Sequence, residues 1–289
     1  ANDYWDPTVF RVDVHPVSTV DDLLTTPGCH ATSISSYNPE SAQTSYRLIE
    51  IGRMRFLDGY LKYVINISRP LNDEEYELYK AACFDRYAQS LEQHVDYETY
   101  EPPTPAAKLM ASAYVMGVGA DPWDRQVVLA DGFDPGNQRT AETIASEKNF
   151  NLLVQPDGNT ILGNGFDMCL VDFQEGAADI RENAKALLAV VEYVCGEAHR
   201  AFLKTHGGAP NSKAGTLYGE VAVGGFSMGG LVARLALLYG QKERGNVPSA
   251  RISNVNRYIS IDSPHQGAAG FNVDFQRMDE EYVADQFWQ

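Results

Sequence analysis

The sequence is poor in basic residues and in long apolar runs. Its 23 lysines and arginines are outnumbered by 39 aspartates and glutamates, which gives a formal net charge of −16. A chain this acidic repels phosphate groups, so neither nucleic acid nor an anionic membrane surface is predicted as a partner. No apolar stretch approaches the ~18 residues that a membrane span needs, so no span is predicted. The 289 residues are enough for one large or two moderate domains, each with a sizeable core.

Cysteines and metal-binding patterns are scarce as well. The four cysteines are too few for a disulfide scaffold. Cys169 falls in a predicted strand and Cys195 on the apolar side of a predicted helix, so both are expected to be buried thiols. A bridge between Cys29 and Cys83 is left open. No H-E-x-x-H or Cys-x-x-Cys pattern occurs, so no metal and no other cofactor is predicted.

The stretch that organises the chain runs from Val221 to Tyr239. An apolar run breaks at two glycines, presents Ser227 and continues at once as a segment with helical periodicity. Gly225-Phe-Ser-Met-Gly229 matches G-x-S-x-G, the nucleophile elbow, in which a serine occupies a sharp strand-to-helix turn. The strained turn lifts the hydroxyl clear of the sheet. Ser227 is therefore the predicted nucleophile, rather than part of an ordinary tight turn.

The residues around this serine have distinct expected roles. The positions two before and two after it come close together, so Gly225 and Gly229 are expected where side chains would clash. The helix that follows directs its N-terminal amides at the serine. The amide of Met228 is therefore a predicted donor to a developing oxyanion.

From about Gln126 onward, predicted strands alternate with predicted helices, which indicates a parallel sheet. The predicted fold class is therefore α/β, with helices flanking the sheet. The predicted strands are Gln126–Ala130, Asp167–Asp172, Leu217–Val223 and Arg257–Asp262, and long helices follow Asp179 and Ser227.

Residues 1–105 show a different pattern, which predicts a β-rich accessory module or a lead-in to the main sheet. The proline-rich stretch 101–105 is the best linker in the chain, so the domain boundary is placed there and the main domain at 106–289. The elements predicted before the linker are strands at Phe10–Pro16 and Tyr46–Ile51, a hairpin around Asp58-Gly59, and a helix that begins with the capping box Asn72-Asp-Glu-Glu75.

The chain from about Gln126 to Gly267 resembles an α/β-hydrolase. Ser-Met-Gly-Gly-Leu-Val-Ala-Arg at the elbow and Asp-Ser-Pro-His-Gln-Gly after the next strand are similar to sequences of bacterial lipases, esterases and GPI-inositol-deacylase-like hydrolases. The order of elements is that of strands three to six in this fold. Asp131-Gly-Phe-Asp-Pro135 and Leu170–Gly176 resemble a group of secreted bacterial members.

This resemblance implies a serine hydrolase that cleaves carboxylic esters through an acyl-enzyme on Ser227. It implies that the loop after strand three supplies a second oxyanion amide, which by position is that of Phe133, to act beside Met228. It also implies small-molecule or lipid-like ester substrates, and a secreted, periplasmic or cell-surface location.

The acid and the base of the expected triad are harder to place. A serine needs a base to become nucleophilic, and in this family both acid and histidine follow it in the chain. Only 22 residues follow Gly267, and none is a histidine. In the family the position of His265 lines the cleft, while Asp262 stands where an alternative acid is sometimes found. The two are too close along the chain to make a typical pair.

Two interpretations follow. In the first, the last strands of the fold are missing, and the acid and base lie on a missing or cleaved C-terminal segment. In the second, a degenerate hydrolase scaffold serves binding or structure, with the N-terminal module as the partner surface. The glycines of the elbow favour the first, and the unassigned base favours the second. Amide cleavage stays open because the same triad serves it, and metal-dependent hydrolysis would require Asp131, Asp134 and Asp262 to converge.

Overall fold

A computed structural model describes the fold over ten stretches of the chain. These are residues 11–16, 30–32, 46–48, 61–90, 96–102, 107–117, 122–134, 164–205, 219–242 and 252–265. The strands in these stretches are β1 (Arg11–Pro16), β2 (His30–Thr32), β3 (Tyr46–Leu48), β4 (Leu61–Pro70), β5 (Ala107–Met116), β6 (Gln126–Ala130), β7 (Asp167–Phe173), β8 (Val221–Phe226) and β9 (Val255–Ile261). The helices are α1 (Asp73–Ser90), α2 (Ile180–Thr205) and α3 (Met228–Lys242).

Seven strands form one mixed sheet in the order β1-β4-β5-β7-β6-β8-β9. The strands β7, β6, β8 and β9 run parallel to one another, as the alternation of strands and helices predicts. The pairs β1–β4, β4–β5 and β5–β7 are antiparallel. The strands β2 and β3 form a separate antiparallel pair. The α/β fold class is confirmed, and the elbow belongs to the parallel half of the sheet.

The antiparallel half contains a strand that the sequence pattern does not predict. Strand β5 lies between β4 and β7, and its last seven residues are buried. Three of the ten residues of β5 are alanine, a residue that is depleted in strands. Pairing with a strand on each side therefore determines the conformation of β5 more than the intrinsic preference of its residues does. Strands β1 and β4 thus share a sheet with β5, across the predicted boundary at residue 105. The division into 1–105 and 106–289 stays a prediction.

The strand that leads to Ser227 ends later than predicted. The sequence pattern places it at Leu217–Val223, whereas β8 extends through Phe226. Gly224 pairs with Ile259 of β9, so the glycine continues the ladder instead of ending it. Close packing is the physical reason, because a Cβ at Gly224 would overlap the carbonyl oxygen of Ile259.

The capping box predicted at the start of α1 is confirmed. The amide of Glu75 donates to Oδ1 of Asn72 over 2.8 Å, and the amide of Asn72 donates to Oε2 of Glu75 over 3.1 Å. Asp179 caps α2 in a related way, since its Oδ1 accepts a hydrogen bond from the amide of Arg181 over 2.8 Å. These bonds satisfy donors that the start of a helix leaves open.

Helices α2 and α3 pack on one face of the sheet and against each other. Cys169 of β7 and Cys195 of α2 are buried, as predicted, in the core that these helices form with the sheet. Burial raises the pKa of both thiols, so neither is a ready nucleophile. Cys83 carries a free thiol. Cys29, with which the sequence leaves a bridge open, lies outside the described residues. No helix in the described stretches is long and apolar enough to cross a membrane.

Candidate active site

Ser227 lies in the turn between β8 and α3, at the carboxyl end of the parallel strands. Its φ of 49° falls in the left-handed region, which a residue other than glycine occupies only where its surroundings impose it. One restraint is a hydrogen bond of 2.9 Å from the amide of Ser227 to the carbonyl of Ile261 in β9. Another is the contact between the two motif glycines, because a Cβ at Gly225 would overlap the backbone of Gly229. The turn has the geometry of a nucleophile elbow.

The loop after β6, residues 131–134, lies against this elbow and is called the β6 loop below. A Cβ at Gly229 would overlap the carbonyl oxygen of Asp131. The amide of Asp131 donates to the carbonyl of Val171 over 2.9 Å. Its buried carboxylate accepts a hydrogen bond from the amide of Gly132 over 2.6 Å. The start of the β6 loop is therefore fixed in contact with the first turn of α3.

The two amides predicted for the oxyanion hole lie on these two segments. Met228 is the first residue of α3, so its amide is one of those that a helix leaves without an intrahelical partner. Phe133 lies within the β6 loop, directly after Gly132. Their function as donors stays a prediction. The contact between the β6 loop and α3 brings the two backbones together, as an oxyanion hole requires.

Asp262 follows the last residue of β9 and has a φ of 50°. Among the described residues, Ser227 and Asp262 are the two non-glycine residues with a positive φ. They are neighbours in space, because the residue before Asp262 is Ile261, whose carbonyl accepts the hydrogen bond from the Ser227 amide. The side chain of Asp262 is exposed at the carboxyl edge of the sheet. Two strained backbones therefore lie side by side at this edge.

His265 is exposed and folds back toward β9. Its Nε2 lies 2.7 Å from Oγ of Ser260 and 3.4 Å from the hydroxyl of Tyr258. The Tyr258 hydroxyl donates to the carbonyl of Gly230 in α3 over 2.7 Å. Because that bond uses the hydroxyl proton, Tyr258 presents only an acceptor to the ring of His265. His265 thus ties the turn after β9 to the strand and, through Tyr258, to the helix of the elbow.

The sequence did not reveal how tightly this turn packs on α3. A Cβ at Gly230 would overlap the side chain of Ser263, whose buried Oγ has no hydrogen-bond partner among the described residues. The second glycine after Met228 is the signal that could have located this contact. Among the described residues, no group of three or more His, Cys, Asp or Glu side chains is arranged to hold a metal ion.

A protein-family model matches the part of the chain that contains β7, β8, β9 and the elbow. The model of the PGAP1-like alpha/beta domain matches residues 132–289, which is more than half of the chain. The chain therefore belongs to this hydrolase family. A comparison with curated proteins finds no match.

Several solved structures are similar to this chain at low sequence identity. Candida antarctica lipase A is 11% identical over 73% of this chain and 40% of its own, with a TM-score of 0.37. The rice cell wall degrading esterase LipA from Xanthomonas oryzae, in a ligand-bound form, is 15% identical over 74% of this chain and 47% of its own, with a TM-score of 0.32. Acetyl xylan esterase 1 from Thermoanaerobacterium sp. is 10% identical over 77% of this chain and 58% of its own, with a TM-score of 0.31. The chain thus spans about half the length of these structures.

Proposed function

We propose that this protein is a serine hydrolase that cleaves carboxylic esters through an acyl-enzyme on Ser227. The observation that carries the proposal is the strained backbone of Ser227, held between a buried parallel strand and a helix whose first turn contacts the β6 loop. Such strain persists only where the surrounding structure imposes it, and it is concentrated at functional sites. Membership of a hydrolase family supports the same reaction class.

In the proposed reaction, Oγ of Ser227 attacks the carbonyl carbon of the ester and its proton passes to a base. The carbonyl oxygen takes up negative charge, which the amides of Met228 and Phe133 and the positive end of α3 stabilise. The tetrahedral intermediate then expels the alcohol, which takes the proton from the base and leaves the acyl group on Ser227. Water attacks the acyl carbonyl with help from the same base, which releases the carboxylic acid and restores the serine.

We place the base on a residue outside the described stretches and assign the orienting acid to Asp262. The exposed carboxylate of Asp262 and its position beside the elbow support this assignment. His265 is a cleft residue in this scheme, because its Nε2 is engaged by Ser260 of β9. Small-molecule or lipid-like esters as substrates, and a secreted, periplasmic or cell-surface location, belong to the same proposal. Cell fractionation tests the location directly.

The proposal is tested with the full-length protein and a series of p-nitrophenyl esters of increasing acyl length. Ser227→Ala is expected to lower the turnover number by about 10⁴-fold or more, because the oxyanion hole and substrate binding alone remain. Ser68→Ala in β4 is the matched control and should stay within about threefold of wild type, as ordinary substitutions away from a site do. Equal activity in wild type and Ser227→Ala would refute the proposal. A wild type inert toward every ester would favour the degenerate scaffold with a binding role.

A further inference from the structure

The turn that joins β7 to α2, residues 174–178, is held from several sides. The carbonyl of Glu175 accepts hydrogen bonds from the amide of Ala178 over 2.9 Å and from the side-chain amide of Asn183 over 3.1 Å. The carboxylate of Glu175 pairs with Lys108 of β5 at 2.9 Å. These contacts come from the turn itself, from α2 and from a neighbouring strand. The β7–α2 turn is therefore a rigid support that yields little to a neighbour.

Gly176 of this turn lies in close contact with the last residue of the β6 loop. A Cβ at Gly176 would lie 2.8 Å from the carbonyl oxygen of Asp134, 3.0 Å from its amide nitrogen and 3.1 Å from its Cβ. Real Cβ atoms essentially never show separations under 3.0 Å, so an added methyl group requires the backbone of Asp134 or that of the turn to move. Because the turn is held from several sides, we expect Asp134 to move. The φ of Gly176 lies outside the left-handed region. What this glycine permits is thus the contact, not an unusual backbone conformation.

The β6 loop is consequently bounded by a glycine contact at each end. At its start, Gly229 of α3 lies against the carbonyl of Asp131, and at its end Gly176 lies against the backbone of Asp134. The two residues between these contacts are Gly132 and Phe133. A span of three peptide units with both ends fixed has little freedom to shift its central amide.

We infer that Gly176 is a positioning residue for ester hydrolysis, which sets the place of the Phe133 amide in the oxyanion hole by supporting Asp134. The inference rests on the proposed function. It extends the site to a residue of the β7–α2 turn, which belongs neither to the elbow nor to the β6 loop. It also connects the antiparallel half of the sheet to the reaction, because Lys108 of β5 holds the carboxylate of Glu175 beside Gly176.

Moving this support should lower kcat and leave KM nearly unchanged. Donors to an oxyanion act over about 2.7–3.1 Å, and a misplacement of about 1 Å can cost about 10²-fold in rate. The bond to the oxyanion is stronger in the transition state than in the bound ester, so its loss lowers kcat and leaves KM nearly unchanged. Affinity for a boronic acid, which forms a tetrahedral adduct with the serine, should fall in parallel with kcat.

The experiment compares Gly176→Ala with Gly196→Ala in the full-length protein. Gly196 lies within α2, and a Cβ there would meet no atom of the described residues within 4 Å, so it is a matched glycine without a close contact in that part of the chain. Gly176→Ala should lower kcat by about 10- to 100-fold, with KM within twofold and a boronic acid dissociation constant raised by a similar factor. Gly196→Ala should leave all three quantities at wild-type values. Thermal unfolding of each variant is recorded to show that it is folded.

The possible results separate the inference from the function on which it rests. A folded Gly176→Ala with unchanged kcat, or with raised KM and unchanged boronic acid affinity, overturns the inference while the hydrolase stands. If Gly176→Ala does not fold, Lys108→Met decides, since it loosens the same turn without adding a methyl group to it. A lowered kcat at constant KM in Lys108→Met supports the inference, and an unchanged kcat overturns it. A wild type without Ser227-dependent hydrolysis or boronic acid binding removes the proposed function itself.

Discussion

The two halves of the sheet share one apolar core but differ in their other contacts. In the antiparallel half, charged side chains join α1 to the sheet: Arg69 donates two hydrogen bonds to Glu75, at 2.6 and 2.8 Å, and Lys108 lies 3.0 Å from the same carboxylate. In the parallel half, the contacts around Ser227 are made by backbone against backbone at glycines such as Gly225 and Gly229. The strength of an ion pair depends on pH and salt concentration, whereas a close backbone contact is disrupted by any added side-chain volume. The halves should therefore fail under different perturbations.

The ionisation of Glu75 shows how the antiparallel half responds to acid. Burial by itself raises the pKa of this carboxyl, but the hydrogen bonds from Arg69, from the Asn72 amide and from Lys108 outweigh it and lower the pKa from 4.5 to about 2. Ionised Glu75 therefore stabilises the fold fully above about pH 4.5. That stabilisation is lost as the pH falls through about 2.

The largest expected effect breaks the parallel half by adding one methyl group. Gly225→Ala places a Cβ against the backbone of Gly229 and 2.7 Å from the amide nitrogen of Gly230, so the elbow has to open. We expect a loss of about 2–3 kcal/mol in the free energy of unfolding, as overpacking costs, and at least about 10²-fold in kcat/KM. Denaturant unfolding and ester hydrolysis measure the two quantities.

The control for Gly225→Ala is Gly196→Ala, which adds the same methyl group to an open position in α2. It should raise the free energy of unfolding by about 0.5–1 kcal/mol through helix propensity. If the two variants changed the free energy of unfolding and kcat/KM equally, the close backbone contact at Gly225 would not be what maintains the elbow.

The next effect concerns pH and acts on the antiparallel half. Glu75→Gln should lower the free energy of unfolding near pH 7 by about 1–2 kcal/mol, a value already reduced for screening by solvent. The difference between wild type and variant should shrink as the pH falls from 4.5 toward 2, where the wild-type carboxyl becomes neutral as well. Denaturant titrations at several pH values measure it. A difference that is constant over this range would contradict the assigned ion pairs.

A smaller effect on catalysis is expected from the turn after β9. His265→Ala removes the contact of Nε2 with Ser260 but, in the proposed scheme, not the base. The turnover number of the full-length protein should fall by less than about tenfold, because loss of a base costs about 10⁴-fold. Steady-state kinetics decide: a loss near that larger figure would make His265 the catalytic histidine.

The smallest effect is expected from Tyr258→Phe, which removes the hydroxyl that donates to the carbonyl of Gly230. A single hydrogen bond of this kind contributes about 0.5–1.5 kcal/mol to the free energy of unfolding. Thermal unfolding should show a loss in that range, with kcat within about threefold of wild type. A catalytic loss as large as that of Gly225→Ala would place Tyr258 in the machinery of the elbow.

Local sequence signals predicted the parallel half and the elbow because the chemistry there is local. The glycines beside Ser227, the strand before it and the helix after it are consecutive in the chain. The capping box at Asn72 was predictable for the same reason. Strand β5 was not, since its three alanines carry little strand preference and its position depends on partners distant in sequence.

The supports of the site could not be read from the sequence for a related reason. The contact of Gly176 with Asp134 joins residues from two different loops, and nothing in either loop identifies its partner. Gly230 indicates that something packs closely on the first turn of α3, but not that Ser263 does so. Motifs identify the residues of a turn, whereas the packing that holds the turn is a property of the assembled sheet.

The most direct test of the central claim is covalent labelling of the full-length protein with a fluorophosphonate. This reagent phosphonylates a serine only where a hydroxyl is activated and an oxyanion hole receives the P=O oxygen. Intact mass and peptide mapping should show one adduct per chain, on the peptide that contains Ser227, and none in Ser227→Ala. No adduct in the wild type, or one on another residue such as Ser260, would contradict the assignment of Ser227 as the nucleophile.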